Sequence, residues 1–206
     1  MQSPTVSCYP APVTAPKRRA TYEDLCRVPE PLVAEILDGE LFTSPRPAIR
    51  HALAASRLGM ALGPFGADRT APDAPGGWWI LDEPELHLAD DVLVPDLAGW
   101  RRARVPILPD VVGMTIVPDW ACEVISPSTG AIDRGRKMRI YAREGVAHLW
   151  IVDPVAHTLE VYRLEDRRWV VVSTQVGSDA VRAEPFDALA LEMRSWWREG
   201  DAGAEG

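Results

Sequence analysis

The sequence feature that most constrains the fold is a nearly continuous apolar run from Trp120 to Ile125, interrupted only by Glu123. A run without alternating apolar and polar residues is typical of a central strand that is covered on both faces. Such a strand needs partner strands beside it and further layers above and below it. The run therefore predicts a sheet at the centre of the molecule.

The flanking segments predict which elements surround this strand. Thr21 and Asp24 have the spacing of a capping box at the start of a short helix. Asp38-Gly39 lies between two apolar stretches and predicts a hairpin over residues 33–43, because both turn positions need a positive φ. Further helices are predicted at residues 47–62, 131–143 and 187–197, and further strands at residues 78–81, 85–88, 92–94, 147–152, 158–164 and 169–173. The expected fold class is α/β (α+β), with a mixed central β-sheet flanked by helices and with an N-terminal helix and hairpin.

The length of 206 residues fits one domain with short tails. Residues 1–20 contain four prolines and a basic cluster, and we expect them to form a flexible tail. We place the domain at residues 21–199 and a disordered tail at residues 200–206. The hydrophobic content of 47% is sufficient for a core of this size.

Composition narrows the classes of function. A formal net charge of −8 argues against a protein that is basic over its whole surface. Any DNA binding is then expected on one face only and should weaken in salt. Three cysteines without a CxxC pair argue against a structural zinc site and favour a reducing compartment, so we expect a cytoplasmic location. No apolar run is long enough to span a membrane.

Two acidic residues lie in apolar surroundings, where a charge is costly. Asp96 follows the apolar stretch Val92–Pro95, and Glu123 lies inside the central apolar run. A buried carboxylate needs a partner, which is either a salt bridge or a divalent cation that both acids share. Magnesium is usually bound by one or two carboxylates and keeps several waters, an arrangement that two acids at neighbouring strand ends provide.

Lys137 is the only lysine beyond the N-terminal tail and is the candidate cation for such a site. It lies four residues after Asp133, on the helix that follows the Glu123 strand. Lys137 would assist the water that attacks a phosphodiester, and Asp133 would orient Lys137 or touch the metal through water. The alternative, common at this spacing, is an exposed ion pair on a helix.

Several motifs, taken in order along the chain, resemble the Uma-type restriction endonuclease family. They are Glu35-Ile-Leu-Asp-Gly-Glu40, His51, Val94-Pro-Asp96, residues 118–129 around Glu123, Asp133-Arg-Gly-Arg-Lys137, Tyr141-Ala-Arg-Glu-Gly-Val146 and Trp150-Ile-Val-Asp-Pro154. The resemblance covers residues 21–191. It implies a PD-(D/E)XK nuclease fold.

The resemblance also implies roles for individual residues. By motif, Asp96 and Glu123 are the two metal-binding acids, with Mg²⁺ as the expected ion and Mn²⁺ as the alternative. Ile125 stands where the usual E-x-K motif has its lysine, and the family draws its lysine from the following helix, which matches Lys137. Glu35 resembles an additional upstream acid of the site, although its hairpin setting equally fits a structural role.

The densest basic patch lies on the predicted helix at residues 131–143. Arg134, Arg136 and Arg139 are the candidates for contacts with a DNA backbone, and a solvated helix face is the alternative. His51 matches the family pattern but also fits a residue on a helix surface. Ser126 lacks the surroundings of a nucleophile and fits a turn or helix cap.

These residues predict a metal-dependent DNA endonuclease that hydrolyses phosphodiester bonds. Double-strand cleavage needs two active sites, so we expect a homodimer, with the Trp196-Trp197 segment as its candidate contact. A catalytically inactive nuclease-fold module for DNA binding or interaction is an alternative, suggested by the broken E-x-K spacing and the acidic charge. A hydrolase that acts on another phosphoester is a second alternative.

Overall fold

The structure is a computed structural model that describes residues 18–67, 75–127 and 129–197. The predicted tail at residues 200–206 and most of the tail at residues 1–20 lie outside the described residues. The last residues of the N-terminal segment contact the domain. A side-chain nitrogen of Arg18 lies 2.9 Å from Asp24, and the amide of Ala20 donates to the carbonyl of Gly39 at 2.8 Å.

Helices and strands alternate irregularly along the chain. The α-helices are α1 (Tyr22–Cys26), α2 (Ile49–Ala61), α3 (Gly63–Gly66), α4 (Gly130–Ile132) and α5 (Met138–Glu144), with a π-helical segment at Asp133–Lys137 and a 3-10 helix at Met193–Trp196. The strands are β1 (Leu32–Leu37), β2 (Glu40–Pro45), β3 (Trp78–Asp82), β4 (Glu85–Leu88), β5 (Asp91–Leu93), β6 (Leu97–Arg101), β7 (Gly113–Met114), β8 (Trp120–Val124), β9 (His148–Asp153), β10 (Thr158–Glu165), β11 (Arg168–Val176), β12 (Ala180–Val181) and β13 (Leu191–Glu192).

The predicted central sheet is a six-stranded mixed sheet in the order β11-β10-β9-β8-β6-β3. Within it β8 and β9 are parallel, and the other neighbours are antiparallel. The apolar run lies in β8, inside the sheet, so the prediction of a central strand is confirmed. A second sheet has the order β2-β1-β5-β4-β7, and β12 pairs with β13.

Both faces of β8 are covered, as its lack of alternation predicts. Trp120 and Cys122 belong to a core that includes α2, α3 and the C-terminal segment. Ala121 and Ile125 belong to a second core, formed with α5 and the five-stranded sheet. Side chains of a strand alternate between faces, so Glu123 points toward α5 and the five-stranded sheet.

The N-terminal elements also match the prediction. Thr21 and Asp24 form a capping box at the start of α1. Asp38 and Gly39, with φ values of 54° and 81°, form the turn between β1 and β2. This hairpin places Glu35, in β1, beside the central sheet.

The predicted helix at residues 187–197 is wrong. The segment contains strand β13 and a 3-10 helix instead. The apolar residues Leu189, Leu191 and Met193 recur every second position, which is the period of a strand. Trp196 and Trp197 are buried in the core of their own chain, so they offer no surface for a dimer contact.

Sequence reasoning also missed β6, whose Leu-Ala-Gly-Trp segment is buried along most of its length. Among the described residues, no helix has both the length and the apolar character that crossing a membrane requires.

Candidate active site

The two predicted metal-binding acids lie side by side at the ends of neighbouring strands. Leu97 of β6 is paired with Cys122 of β8 in an antiparallel register. Asp96 directly precedes Leu97, and Glu123 directly follows Cys122, so the register brings the two acids next to each other. One carboxylate oxygen of Asp96 accepts a hydrogen bond of 2.6 Å from the amide of Val124.

Lys137 lies among the acids, as predicted. Its Nζ is 2.8 Å from Glu123 and 3.0 Å from Oε1 of Glu35, and its side chain is only 3% exposed. Asp133 is 3.7 Å away on the same helix. The alternative of an exposed helical ion pair is therefore wrong, because Lys137 and Asp133 are both buried.

The π-helical segment explains how this helix presents two charged residues to the interior. Asp133 and Lys137 are its first and last residues and both point inward, whereas Arg134 points to the exposed surface. A π-helical turn holds one more residue than an α-helical turn, and such turns are frequent at functional sites.

Two further residues hold the acids, and sequence reasoning gave neither of them a role at this site. The hydroxyl of Tyr141, in α5, donates a hydrogen bond of 2.5 Å to Oε1 of Glu123. Nε2 of His51, in α2, lies 3.2 Å from Oδ1 of Asp96. The Tyr141 position was visible in the sequence, because it lies four residues after Lys137 and therefore on the same face of the helix.

The acids, Lys137 and His51 line a cleft of about 320 Å³ between the hairpin, α2 and the central sheet. The cleft walls include Glu35, His51, Asp96, Glu123, Asp133 and Lys137. All five predicted catalytic residues are thus brought together. Ser126 also lines the cleft, where its hydroxyl lies 3.0 Å from that of Thr129, in the turn that begins the following helix, as expected for a turn residue.

The model of the Uma2 family, described as "Putative restriction endonuclease", matches residues 19–194. This chain belongs to the Uma2 family. None of the curated proteins matches it.

A solved structure supports the fold of this Uma2 member. It is described as a putative nuclease belonging to DUF820 from Anabaena variabilis ATCC 29413. The two chains are 20% identical, with a TM-score of 0.66, and the match covers 86% of this chain and 97% of the other. The predicted restriction-endonuclease-like fold class is confirmed.

The charge balance of the cleft fits the metal ion that the Uma2 fold implies. Glu35, Glu123 and Asp133 surround the ammonium of Lys137, and Asp96 lines the same cleft. Four carboxylates and one ammonium leave a formal charge of −3 when all five are ionised. Among the described residues, no three His, Cys, Asp or Glu side chains form a metal cage by themselves. Magnesium does not require such a cage, because one or two carboxylates and several waters are sufficient.

The pKa values reflect this excess of negative charge. Burial raises the pKa of Glu123 well above 4.5, and the neighbouring acids add to the effect although Lys137 opposes it. Burial likewise raises the pKa of Asp133. Burial lowers the pKa of Lys137, but the three surrounding carboxylates outweigh it and hold the pKa well above 10.5. Lys137 is therefore charged at neutral pH, and the acids favour uptake of a further cation or proton.

The predicted DNA-contacting arginines lie on the outer side of the same helix, and each is paired with an acid. Arg134 makes two hydrogen bonds of 2.7 Å to Glu160. Arg136 makes one of 2.7 Å to Glu40, and Arg139 lies 3.5 Å from Asp38. None of the three lines the cleft that holds the acids.

Proposed function

We propose that this chain is a metal-dependent DNA endonuclease that hydrolyses phosphodiester bonds. Asp96 and Glu123 are the proposed ligands of Mg²⁺, with Mn²⁺ as the alternative ion. The observation that carries the proposal is the convergence of two carboxylates from neighbouring strands with a buried, charged lysine in one cleft. The bound ion supplies Lewis-acid activation of water and of a phosphoryl oxygen.

Lys137 acts on the reacting groups, and three further residues hold Lys137 and Glu123 in position. The ammonium of Lys137 orients the attacking water and offsets the charge that develops on the phosphate. Glu35 and Asp133 are positioning residues, because they hold this ammonium from two sides. Tyr141 fixes the orientation of the Glu123 carboxylate through its hydrogen bond.

The oligomeric state, the cellular location and the contacts with the DNA backbone belong to the same proposal. Double-strand cleavage requires two such clefts, so we propose a homodimer that works in the cytoplasm. Arg134, Arg136 and Arg139 stay candidates for backbone contacts. Each of them must first exchange its carboxylate partner for a phosphate.

A catalytically inactive nuclease-fold module is the second candidate. The observation that favours it is that both carboxylate oxygens of Glu123 are already occupied, one by Tyr141 and the other by Lys137. A module of this kind would keep the buried charge cluster for stability and bind its partner without cleavage.

Cleavage of supercoiled plasmid at low salt with Mg²⁺ or Mn²⁺ separates the two candidates. We expect nicking by the wild type and none by Glu123→Ala or Lys137→Ala, with an exposed acid variant, Glu23→Ala, as the matched control. RNA and a small phosphodiester are tested in parallel, because cleavage of these substrates alone would indicate another phosphoesterase. A folded wild type that cleaves none of the substrates would favour the inactive module.

A further inference from the structure

A DNA phosphate that approaches this cleft is repelled by the negative charge of the acids. A cation at the surface of the cleft would reduce this repulsion. Lys137 is not such a cation, because its side chain is 3% exposed and carboxylates surround it. Arg46 lines the same cleft, and its side chain is 59% exposed. Of the arginines in residues 18–67, 75–127 and 129–197, it is the one on the cleft wall.

Arg46 is held more loosely than Arg134 and Arg136, whose contacts with their acids are 2.7 Å long. Its Nη1 lies 4.0 Å from Oε2 of Glu83, and its Nη2 donates a hydrogen bond of 3.3 Å to the carbonyl of Glu30. The corresponding distances at Arg134 are 2.7 Å. An exposed ion pair at 4.0 Å contributes little, so a phosphate displaces Glu83 at low cost.

The backbone on both sides of Arg46 is conformationally restricted. Pro45 and Pro47 flank it, and both line the cleft. Proline fixes its own φ and holds the preceding residue in an extended conformation. Less backbone freedom is then lost when the arginine binds a ligand.

The position of Arg46 also indicates which phosphate it would meet. Arg46 and Glu83 line both the cleft and a neighbouring groove of about 290 Å³, in which Leu25, Val28 and Leu32 contribute apolar surface. A DNA strand that passes the acids and leaves the cleft through this groove would cross the Arg46–Glu83 pair. A phosphate at that crossing would flank the one held at the acids.

We propose that Arg46 binds a DNA phosphate flanking the scissile one, and that Glu83 is the counter-ion it gives up on binding. The inference rests on the proposed nuclease function. It adds a substrate contact at the end of β2, and it predicts opposite effects for the two members of one ion pair.

The test measures binding of a fluorescently labelled DNA duplex, and of its single strand, to the full-length protein with Ca²⁺ in place of Mg²⁺. We expect Arg46→Ala to weaken binding roughly tenfold at every sequence and to lower the salt slope by about 1. Glu83→Gln should strengthen binding. Arg163→Ala and Glu165→Gln alter a comparably exposed arginine–glutamate pair on β10, away from both the cleft and the groove, and should leave the affinity unchanged.

The outcomes distinguish the inference from the function on which it rests. If the folded wild type binds neither DNA, the proposed function fails and the inference with it. If the wild type binds and Arg46→Ala binds equally well with the same salt slope, the inference alone is overturned. If Glu83→Gln fails to strengthen binding while Arg46→Ala weakens it, Glu83 is not the counter-ion.

Discussion

Replacement of Lys137 by methionine tests whether its ammonium neutralises the buried acids. Methionine keeps most of the side-chain volume and removes the charge. Glu123, Glu35 and Asp133 then lose the cation that lies 2.8–3.7 Å from each of them. Removal of one member of a buried ion pair typically costs about 3–5 kcal/mol, because the other member stays buried and uncompensated.

Proton uptake by one of the buried acids sets an independent upper limit on this cost. The variant relieves its excess charge by keeping one carboxyl more protonated than the wild type does, and a glutamate carboxyl in the unfolded chain has its ordinary pKa of 4.5. Each pH unit above this value costs about 1.4 kcal/mol, so the loss reaches about 3.4 kcal/mol at pH 7 and falls below about 1 kcal/mol at pH 5. The sign follows because the folded variant binds a proton that the unfolded chain releases.

Urea unfolding followed by circular dichroism measures this loss at pH 5 and pH 7. Thermal unfolding at pH 7 measures the same loss as a decrease in Tm, which at about 2–4 °C per kcal/mol is expected to be roughly 7–14 °C. The matched control is Arg134→Met, which removes a partly exposed partner of Glu160 from the same helix and should cost less than about 1 kcal/mol. The double variant Lys137→Met/Glu123→Gln should recover part of the loss.

A Lys137→Met variant as stable as the wild type at pH 7 would show that the ammonium does not neutralise the buried acids. A loss of equal size at pH 5 and pH 7 would also contradict this role, because a cost set by proton uptake must shrink as the pH falls toward 4.5.

Three further predictions concern the same cleft. Tyr141→Phe removes the hydroxyl that donates to Glu123 and should lower the free energy of unfolding by about 1.5–3 kcal/mol in urea; an unchanged value would contradict the hydrogen bond. Asp133 has a pKa raised above 3.8, so the wild type should gain stability relative to Asp133→Asn as the pH falls from 8 toward 4; a difference independent of pH would argue against this. Mn²⁺ at 100 times its Kd should stabilise the wild type by about 2.7 kcal/mol, seen as a rise in Tm, and Asp96→Asn should lose this rise; equal shifts in both proteins would remove Asp96 from the metal site.

The sequence predicted the parts of the fold that local chemistry determines. The apolar run of β8 required a central position, and the Asp38-Gly39 turn fixed the hairpin. The buried setting of Glu123 required a partner, which led to Lys137. An apolar run must be buried, few residues adopt a positive φ, and a buried charge needs a partner. Each of these requirements leaves few alternatives.

The features that sequence reasoning missed depend on long-range contacts. The pairing of His51 with Asp96 joins α2 to the central sheet across 44 intervening positions, and no local pattern signals it. The acids that neutralise Arg134 and Arg136 come from β10 and β2, so those arginines looked freer in the sequence than they are. The proposed phosphate contact of Arg46 likewise depends on the fold, because only the folded hairpin brings Arg46 to the cleft.

The position of Ile125 sets this chain apart from the usual E-x-K spacing. Ile125 directly follows β8, two residues after Glu123, and packs in the core that contains Tyr141. The ammonium of Lys137 therefore reaches the acids from a helix, while the position at which the E-x-K motif has its lysine is hydrophobic. A search that required a lysine two residues after the glutamate would not find this chain.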